Sequence, residues 1–264
     1  MQSPRTRPSL ETGLLALERR ERILAHLRIH GSARIVDLAA GLGVSPMTLR
    51  RDADQLVDDG AVERVRGGVR IVRPPVVDEP APLEKAALHR EEKARIARAA
   101  AALVRPGTAI GIGAGTTTLA LARLLAEVPA VTIVTNSPPV ALALPEHEQL
   151  VLTGGERTRS AALVGPVANR TADVIGLDQL FLGAHGIDAE RGCTAPNFAE
   201  AETNRALMSA ARSTVVLADA SKWGVQGLAS FARLDELDAV VSDTSLSDAS
   251  ARAVRRARAR LILV

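Results

Sequence analysis

The chain has 264 residues, 47% of them hydrophobic and 2% aromatic, with one Trp and no Tyr. That is enough apolar material for two medium domains, or one large domain with an appendage, and it excludes general disorder. The aromatic scarcity argues against a binder of single-stranded nucleic acid that works by base stacking.

The formal net charge is +3, yet the pI is about 9.7. Of 33 basic residues only Lys85, Lys93 and Lys222 are lysine, and with no Tyr and one Cys little titrates between neutral pH and the lysine range. The high pI therefore reflects missing buffering groups more than strong basicity. Position matters more: residues 1–73 carry 13 arginines against 9 acidic residues, while residues 74–264 carry 20 basic against 21 acidic. A small anion-seeking module joined to a near-neutral body follows, with nucleic acid as the first partner to consider.

Cys193 stands alone, which excludes a disulfide framework and a cysteine zinc site. Arg5 and Arg7 are not followed by an apolar signal-peptide stretch, and no apolar run reaches the ~18 residues a membrane span needs. The expectation is a cytoplasmic protein with no membrane partner.

In chain order, residues 1–17 read as a flexible N-terminal segment. Residues 18–29 form a helix with Ile23, Leu24 and Leu27 at helical spacing, stopped by Gly31. Residues 34–40 form a second, short helix, and Gly41 to Val44 make a turn. Ser45-Pro46 opens a third helix, because Ser caps and Pro suits the first helical position; it ends at Gly60. Two apolar-rich runs, 61–65 and 69–72, flank Arg66-Gly67-Gly68 and read as a hairpin. Four prolines within 74–82 mark a semi-rigid linker and the domain boundary.

Three helices, a tight turn and a hairpin over 18–73 form a winged helix-turn-helix, whose third helix enters the major groove of DNA. Leu49, Ala53 and Leu56 face its core. Met47, Thr48 and Arg51 face outward, with Ser45 and Arg50 at the flanks. A guanidinium can grip a guanine edge in a fork, and helix N-terminal amides add a phosphate contact. On the hairpin, Arg64, Arg66 and Arg70 meet the backbone or the minor groove. Taken by itself, Arg50-Arg51-Asp52 would read as a solvated face with local ion pairs; cap, spacing, hairpin and charge together favour DNA.

Beyond the linker a helix spans 84–104, and strands fall at 108–112, 131–135, 149–153, 179–184, 213–218, 239–243 and 260–264. Helices occupy 116–127, 137–144, 165–176, 198–212 and 248–258 between most of them. Such alternation predicts a mainly parallel α/β sheet with helices on both faces, over 83–264.

Chemistry gathers at strand ends. Gly113, Ala114, Gly115, Thr116 and Thr117 close the first strand and open a helix, where backbone amides and hydroxyls suit an anion. The spacing is G-x-G-x-G with no acidic residue at the end of the second strand, and no Gly-Lys-Ser/Thr occurs. A dinucleotide fingerprint and a P-loop are both disfavoured, and a small phosphate is the natural guest; the plain alternative is a tight turn. Other strand-end loops carry Asn136 and Ser137, Gly154 and Gly155, His185, and Asp219 with Lys222. Ligands of open α/β sheets gather at such ends. Lys222 stands out where arginine is used thirty times, as a place suited to a compact ammonium. His26 and His30 lack a third ligand and read as a surface pair, so no metal and no cofactor is expected. Cys193 reads as a small buried residue, and Arg252, Arg255, Arg256 and Arg258 as a solvated helix face.

The run VDLAAGLGVSPMTLRRD followed by the RGG hairpin tip resembles the DNA-binding region of DeoR-type transcriptional regulators. The resemblance continues through AGTTTLALARLL, TNSPPVALAL, LTGGERTRSAALVGP, FLGAHGID and ADASKWG, and so covers nearly the whole chain. It implies a sensor domain similar in fold to ribose-phosphate isomerases, a phosphorylated sugar or related metabolite as effector, a homo-oligomer, and repression of carbohydrate genes. Carried over by motif, the effector-site residues are Gly113 to Thr117, Asn136, Ser137, Gly154, Gly155, Asp219 and Lys222. The chain departs from the family at Arg66, where His is usual, at Gly113, where an acidic residue is common, and at His185, where Asp or Asn is common. The competing reading is a sugar-phosphate isomerase carrying a DNA-binding module, with Asp188, Glu200 or Asp219 as base.

Overall fold

The computed structural model describes residues 16–72, 82–126 and 128–264. The chain divides into two compact units, Met1–Arg73 and Pro74–Val264. The flexible segment assigned to 1–17 lies outside the described residues up to position 15, and the linker assigned to 74–82 lies outside them up to 81.

In the first unit α1 (Ala16–His30), β1 (Ser32–Arg34), α2 (Ile35–Leu42), α3 (Pro46–Asp58), β2 (Val62–Val65) and β3 (Gly68–Ile71) follow in order. The three strands form an antiparallel sheet in the order β1-β3-β2. Ile23, Leu27, Leu49, Ala53 and Leu56 interlock in its core with Val62 and Val69. Gly43 ends α2 at φ 66°, a left-handed conformation that a residue without Cβ adopts freely, and so turns the chain into α3. Gly68 answers a different need: a Cβ there would lie 2.2 Å from the Ala33 carbonyl oxygen, so only glycine lets β3 meet β1.

The second unit continues with α4 (Pro82–Ala87), α5 (Arg90–Ala101), β4 (Ala109–Ile112), α6 (Thr116–Leu125), β5 (Thr132–Thr135), α7 (Pro138–Leu142), β6 (Leu150–Leu152), β7 (Glu156–Arg157), β8 (Leu163–Val164) and α8 (Pro166–Asp173). Then come β9 (Gln179–Leu182), β10 (Gly186–Asp188), β11 (Gly192–Ala195), α9 (Phe198–Ser209), β12 (Thr214–Leu217), β13 (Ala229–Ala232), β14 (Ala239–Ser242), α10 (Asp248–Arg256) and β15 (Arg260–Leu263). All seven strands expected from the apolar runs pair into one parallel sheet, in the order β15-β14-β12-β9-β4-β5-β6. Burial on both faces is why they read as continuous apolar runs. One face packs Ile96, Leu121 and Val140 of α5, α6 and α7; the other packs Ala172, Leu207 and Val254 of α8, α9 and α10.

Two corrections follow. The helix expected over 84–104 is two helices, and Pro82, assigned to the linker, begins the first of them. The break falls at His89, whose φ of 52° is left-handed. Buried Lys93 holds it by turning its Nζ back onto the carbonyl oxygens of Lys85 and Leu88. The strands β10, β11 and β13, unforeseen in the sequence, form a separate antiparallel sheet beside the C-terminal strand ends.

Cys193, in β11, is fully buried, and burial pushes its thiol up to about 12. Since the thiolate is the reactive species, Cys193 will resist thiol reagents at pH 8 in the folded protein and react on addition of denaturant; rapid labelling of the native chain, read by mass spectrometry, would contradict its placement. No helix among the described residues is long and apolar enough to cross a membrane.

Candidate recognition helix and polar cleft

In α3 the Ser45 hydroxyl accepts a hydrogen bond from the Thr48 amide at 3.1 Å, with the two hydroxyls 2.9 Å apart, so Thr48 is half-buried in the cap. Met47, Arg50 and Arg51 are exposed on the opposite side from Leu49, Ala53 and Leu56. Asp52, a surface ion-pair residue in the alternative reading set aside above, is buried; its carboxylate takes a forked contact from Arg19 of α1, 2.8 and 3.2 Å long. That bond clamps α3 to α1 and leaves Arg50 and Arg51 outward without Asp52 as a partner.

On the wing, Arg64 pairs with Asp54 of α3, and Arg70 pairs across the strands with Glu63 at 2.7 Å. Among the described residues no ion pair engages Arg50, Arg51 or Arg66. Gly67 is exposed at the tip with φ 79°, whereas Gly68 is buried and accounted for by packing on β1. His26 and His30 are exposed with ring centroids 4.4 Å apart. Burial, followed by the neighbouring His30, holds His26 below the ordinary imidazole range.

In the second unit the strand order reverses between β4 and β9: β5 and β6 lie on one side, β12, β14 and β15 on the other. Loops diverge at such a switch point and leave a crevice at the carboxyl ends of the strands. A cleft of about 310 Å³ opens there. The loop after β4 supplies Ala114 and Gly115, and the first turn of α6 supplies Thr116 and Thr117, at a helix end suited to an anion. Ser137, which caps α7, and His185, after β9, also line it.

Gly113, Asn136, Gly154 and Gly155 do not line the cleft. Gly113 is buried, with Leu182 where a Cβ would stand. Asn136 is buried too and acts as a brace: its Oδ1 accepts from the Ala114 amide at 3.2 Å and its Nδ2 donates to the Leu163 carbonyl at 3.1 Å. Gly155 lets β8 approach, since a Cβ there would lie 2.5 Å from the Val164 carbonyl oxygen, and Gly154 packs against Val167.

The loop after β12 closes the other side with Asp219 and Lys222. Asp219 is 1% exposed. Its Oδ1 accepts from the Ser221 amide and hydroxyl, but Oδ2 is buried with no hydrogen-bond partner among the described residues. A buried carboxylate oxygen without a donor is costly, and here it lines an open cleft.

Lys85, Ser160 and Asn204 line the cleft although the sequence did not mark them, whereas Glu200 was named only as a base for the isomerase reading. Lys85 reaches the cleft from α4, so the helix just beyond the linker forms part of the wall. Lys93 feels Asp219, Lys222 and Lys85; burial keeps its ammonium below the ordinary lysine value against the pull of Asp219. All three lysines of the chain thus gather here, and their rarity was the available signal. Ser160, Glu200 and Asn204 form the far wall, where the Ser160 hydroxyl donates to Glu200 Oε1 at 2.5 Å and Asn197 Nδ2 donates to the same oxygen at 2.9 Å. Of the three bases weighed for an isomerase, Glu200 and Asp219 line the cleft and Asp188 does not. Burial raises its carboxyl, but amides of Arg191 and Glu190 and the Gln226 side chain outweigh that and leave it below the usual carboxylate range, which makes it a poor base.

A winged helix-turn-helix followed by an anion-suited cleft in a parallel α/β unit matches two family models, the DeoR-like helix-turn-helix domain over residues 19–74 and the DeoR C-terminal sensor domain over 88–244. The chain belongs to the DeoR family. It is 36% identical over 241 residues to the HTH-type transcriptional regulator GlpR of Haloferax volcanii, covering 90% of this chain and 94% of that one. It is 30% identical to the lactose phosphotransferase system repressor of Streptococcus mutans, over 88% of this chain and 93% of the relative. Among solved structures, ribose 5-phosphate isomerase A from Methanocaldococcus jannaschii aligns at 22% identity and a TM-score of 0.39, over 51% of this chain and 54% of that one. As a DeoR-family member the protein is a DNA-binding transcriptional regulator, as its sequence motifs implied.

Proposed function

We propose that this DeoR-family protein is a cytoplasmic repressor of carbohydrate genes, that it binds operator DNA as at least a dimer, and that a phosphorylated sugar in the cleft releases it. The observation that carries the reading is the presence of opposite chemistries around one opening. Around that opening stand the N-terminus of α6, Thr116, Thr117 and the Lys222 ammonium, which suit a phosphate. In the same opening, the donor-less Asp219 Oδ2 beside Lys222 and the Glu200 carboxylate suit sugar hydroxyls. A molecule that is both anionic and hydroxyl-rich satisfies both. Repression and the carbohydrate link draw support from the lactose phosphotransferase repressor of Streptococcus mutans.

Arg50, Arg51, Met47 and Ser45 of α3, with Thr48 behind them, read the operator, and Arg64, Arg66 and Gly67 of the wing hold its backbone. That the protein binds rather than turns over its effector draws support from relatives named as a transcriptional regulator and a repressor. Calorimetry of the full chain against matched pairs of hexose and pentose phosphates and their free sugars tests this: a phosphorylated member binds and its unphosphorylated partner does not. No binding by any phosphate, or equal binding by a free sugar, would overturn it.

A further inference from the structure

The seven-stranded sheet has two open edges of different character. β15 begins with Arg260 and follows Arg255, Arg256 and Arg258, so charge guards it. The strand at the other end, β6, is Leu150-Val151-Leu152, without charge or proline, and Val151 and Leu152 are 41% and 43% exposed. Among the described residues no strand pairs with its outer side. The Gln149 carbonyl and the Thr153 amide bond inward to β5, so by the alternation of a parallel ladder Leu150 and Leu152 direct their N–H and C=O groups outward.

Apolar side chains frame this edge. Leu142 of α7, which packs against β6, is 81% exposed. On α8, Val167 and Val174 form an exposed stripe with Thr171, whose hydroxyl donates to the Thr153 carbonyl at the end of β6. The charges at the two ends of the strand differ in sign. Glu146 and Glu148 precede β6, whereas Arg157, Arg159 and Arg170 outnumber Glu156 and Asp173 around its other end.

We infer that β6 is the surface on which a second copy of this chain docks, antiparallel about a two-fold axis at Val151. The inference rests on the reading that the protein acts as at least a dimer, and it names the face. With Val151 opposite Val151, Leu150 of each copy stands opposite Leu152 of the other, and the outward groups exchange four hydrogen bonds. The same operation sets the acidic start of one β6 against the basic end of the other and brings the apolar flanks of α7 and α8 together. The result is a continuous fourteen-stranded sheet.

The test uses the full-length protein. Opposed residues of a non-hydrogen-bonded antiparallel pair have Cα atoms about 4.5 Å apart, within disulfide reach. Val151→Cys is therefore expected to form a covalent dimer under mild oxidation, while Leu263→Cys on the opposite edge stays uncross-linked. Glu148→Arg and Arg170→Glu are each expected to weaken self-association about tenfold in sedimentation equilibrium, and the double variant to regain it. A wild-type chain that sediments as a monomer at micromolar concentration would overturn both the interface and the dimer reading. A dimer whose Val151→Cys form fails to cross-link, or cross-links no better than Leu263→Cys, and which ignores the charge reversals, would overturn the interface alone.

Discussion

Replacing Arg51 by Ala is expected to lower operator affinity about a thousandfold while leaving effector binding unchanged. Arg51 stands exposed on α3, and Asp52, the nearest acid in sequence, is held by Arg19. A guanidinium placed this way can grip a guanine edge, and each such fork contributes about 1–3 kcal/mol of base discrimination. Two half-sites in a dimeric complex double this to about 4 kcal/mol, which is about three powers of ten. A phosphate contact gives a different signature: weaker binding to every sequence and a salt slope reduced by about one unit per contact. The comparison is made by fluorescence anisotropy at fixed salt, on a duplex selected from a random pool by the wild-type protein and on an unrelated duplex. Loss confined to the selected duplex supports base reading by Arg51, and unchanged affinity would remove Arg51 from the interface.

Lys222→Ala is expected to bind operator normally and to weaken the effector by about 2 kcal/mol, or about thirtyfold. The lysine lines the cleft from the loop after β12, within the second unit. Lys222→Arg separates charge from shape. An ammonium is a compact point donor and a guanidinium a planar fork, so at a tight phosphate site the arginine variant should recover only part of the affinity. Full effector affinity in Lys222→Ala would take the lysine out of the site.

The architecture was legible because its driving forces are local in sequence. Strands buried on both faces leave uninterrupted apolar runs, and all seven were found. The Ser45-Pro46 cap and the Leu49, Ala53 and Leu56 spacing exposed α3 in the same way. The break at His89 was not legible, since the alanine- and arginine-rich stretch around it favours helix on both sides and the kink depends on a tertiary contact of Lys93. Nor did the short strands β10, β11 and β13 announce themselves, because three or four residues are too few to show a period.

The cleft was half legible. Motifs at strand ends pointed to Thr116, Thr117, Asp219 and Lys222, which topology brings to one opening. Gly113, Gly154 and Gly155 belong to the same motifs, but close backbone and side-chain approach explains them, and Asn136 braces the loop from behind. Lys85 could not be seen as a lining residue, because only the docking of α4 carries it to loops more than a hundred residues away in sequence.

Control of DNA binding by effector in this cleft, as proposed, is read out by one titration. Full-length protein is bound to its selected duplex at about 0.15 M salt and titrated with each sugar phosphate and its free sugar, while anisotropy reports release. The account predicts that a phosphorylated sugar releases the DNA, that the free sugar does not, and that Lys222→Ala stays bound throughout the same range. Release by no phosphorylated sugar, or equal release from wild type and Lys222→Ala, would contradict it.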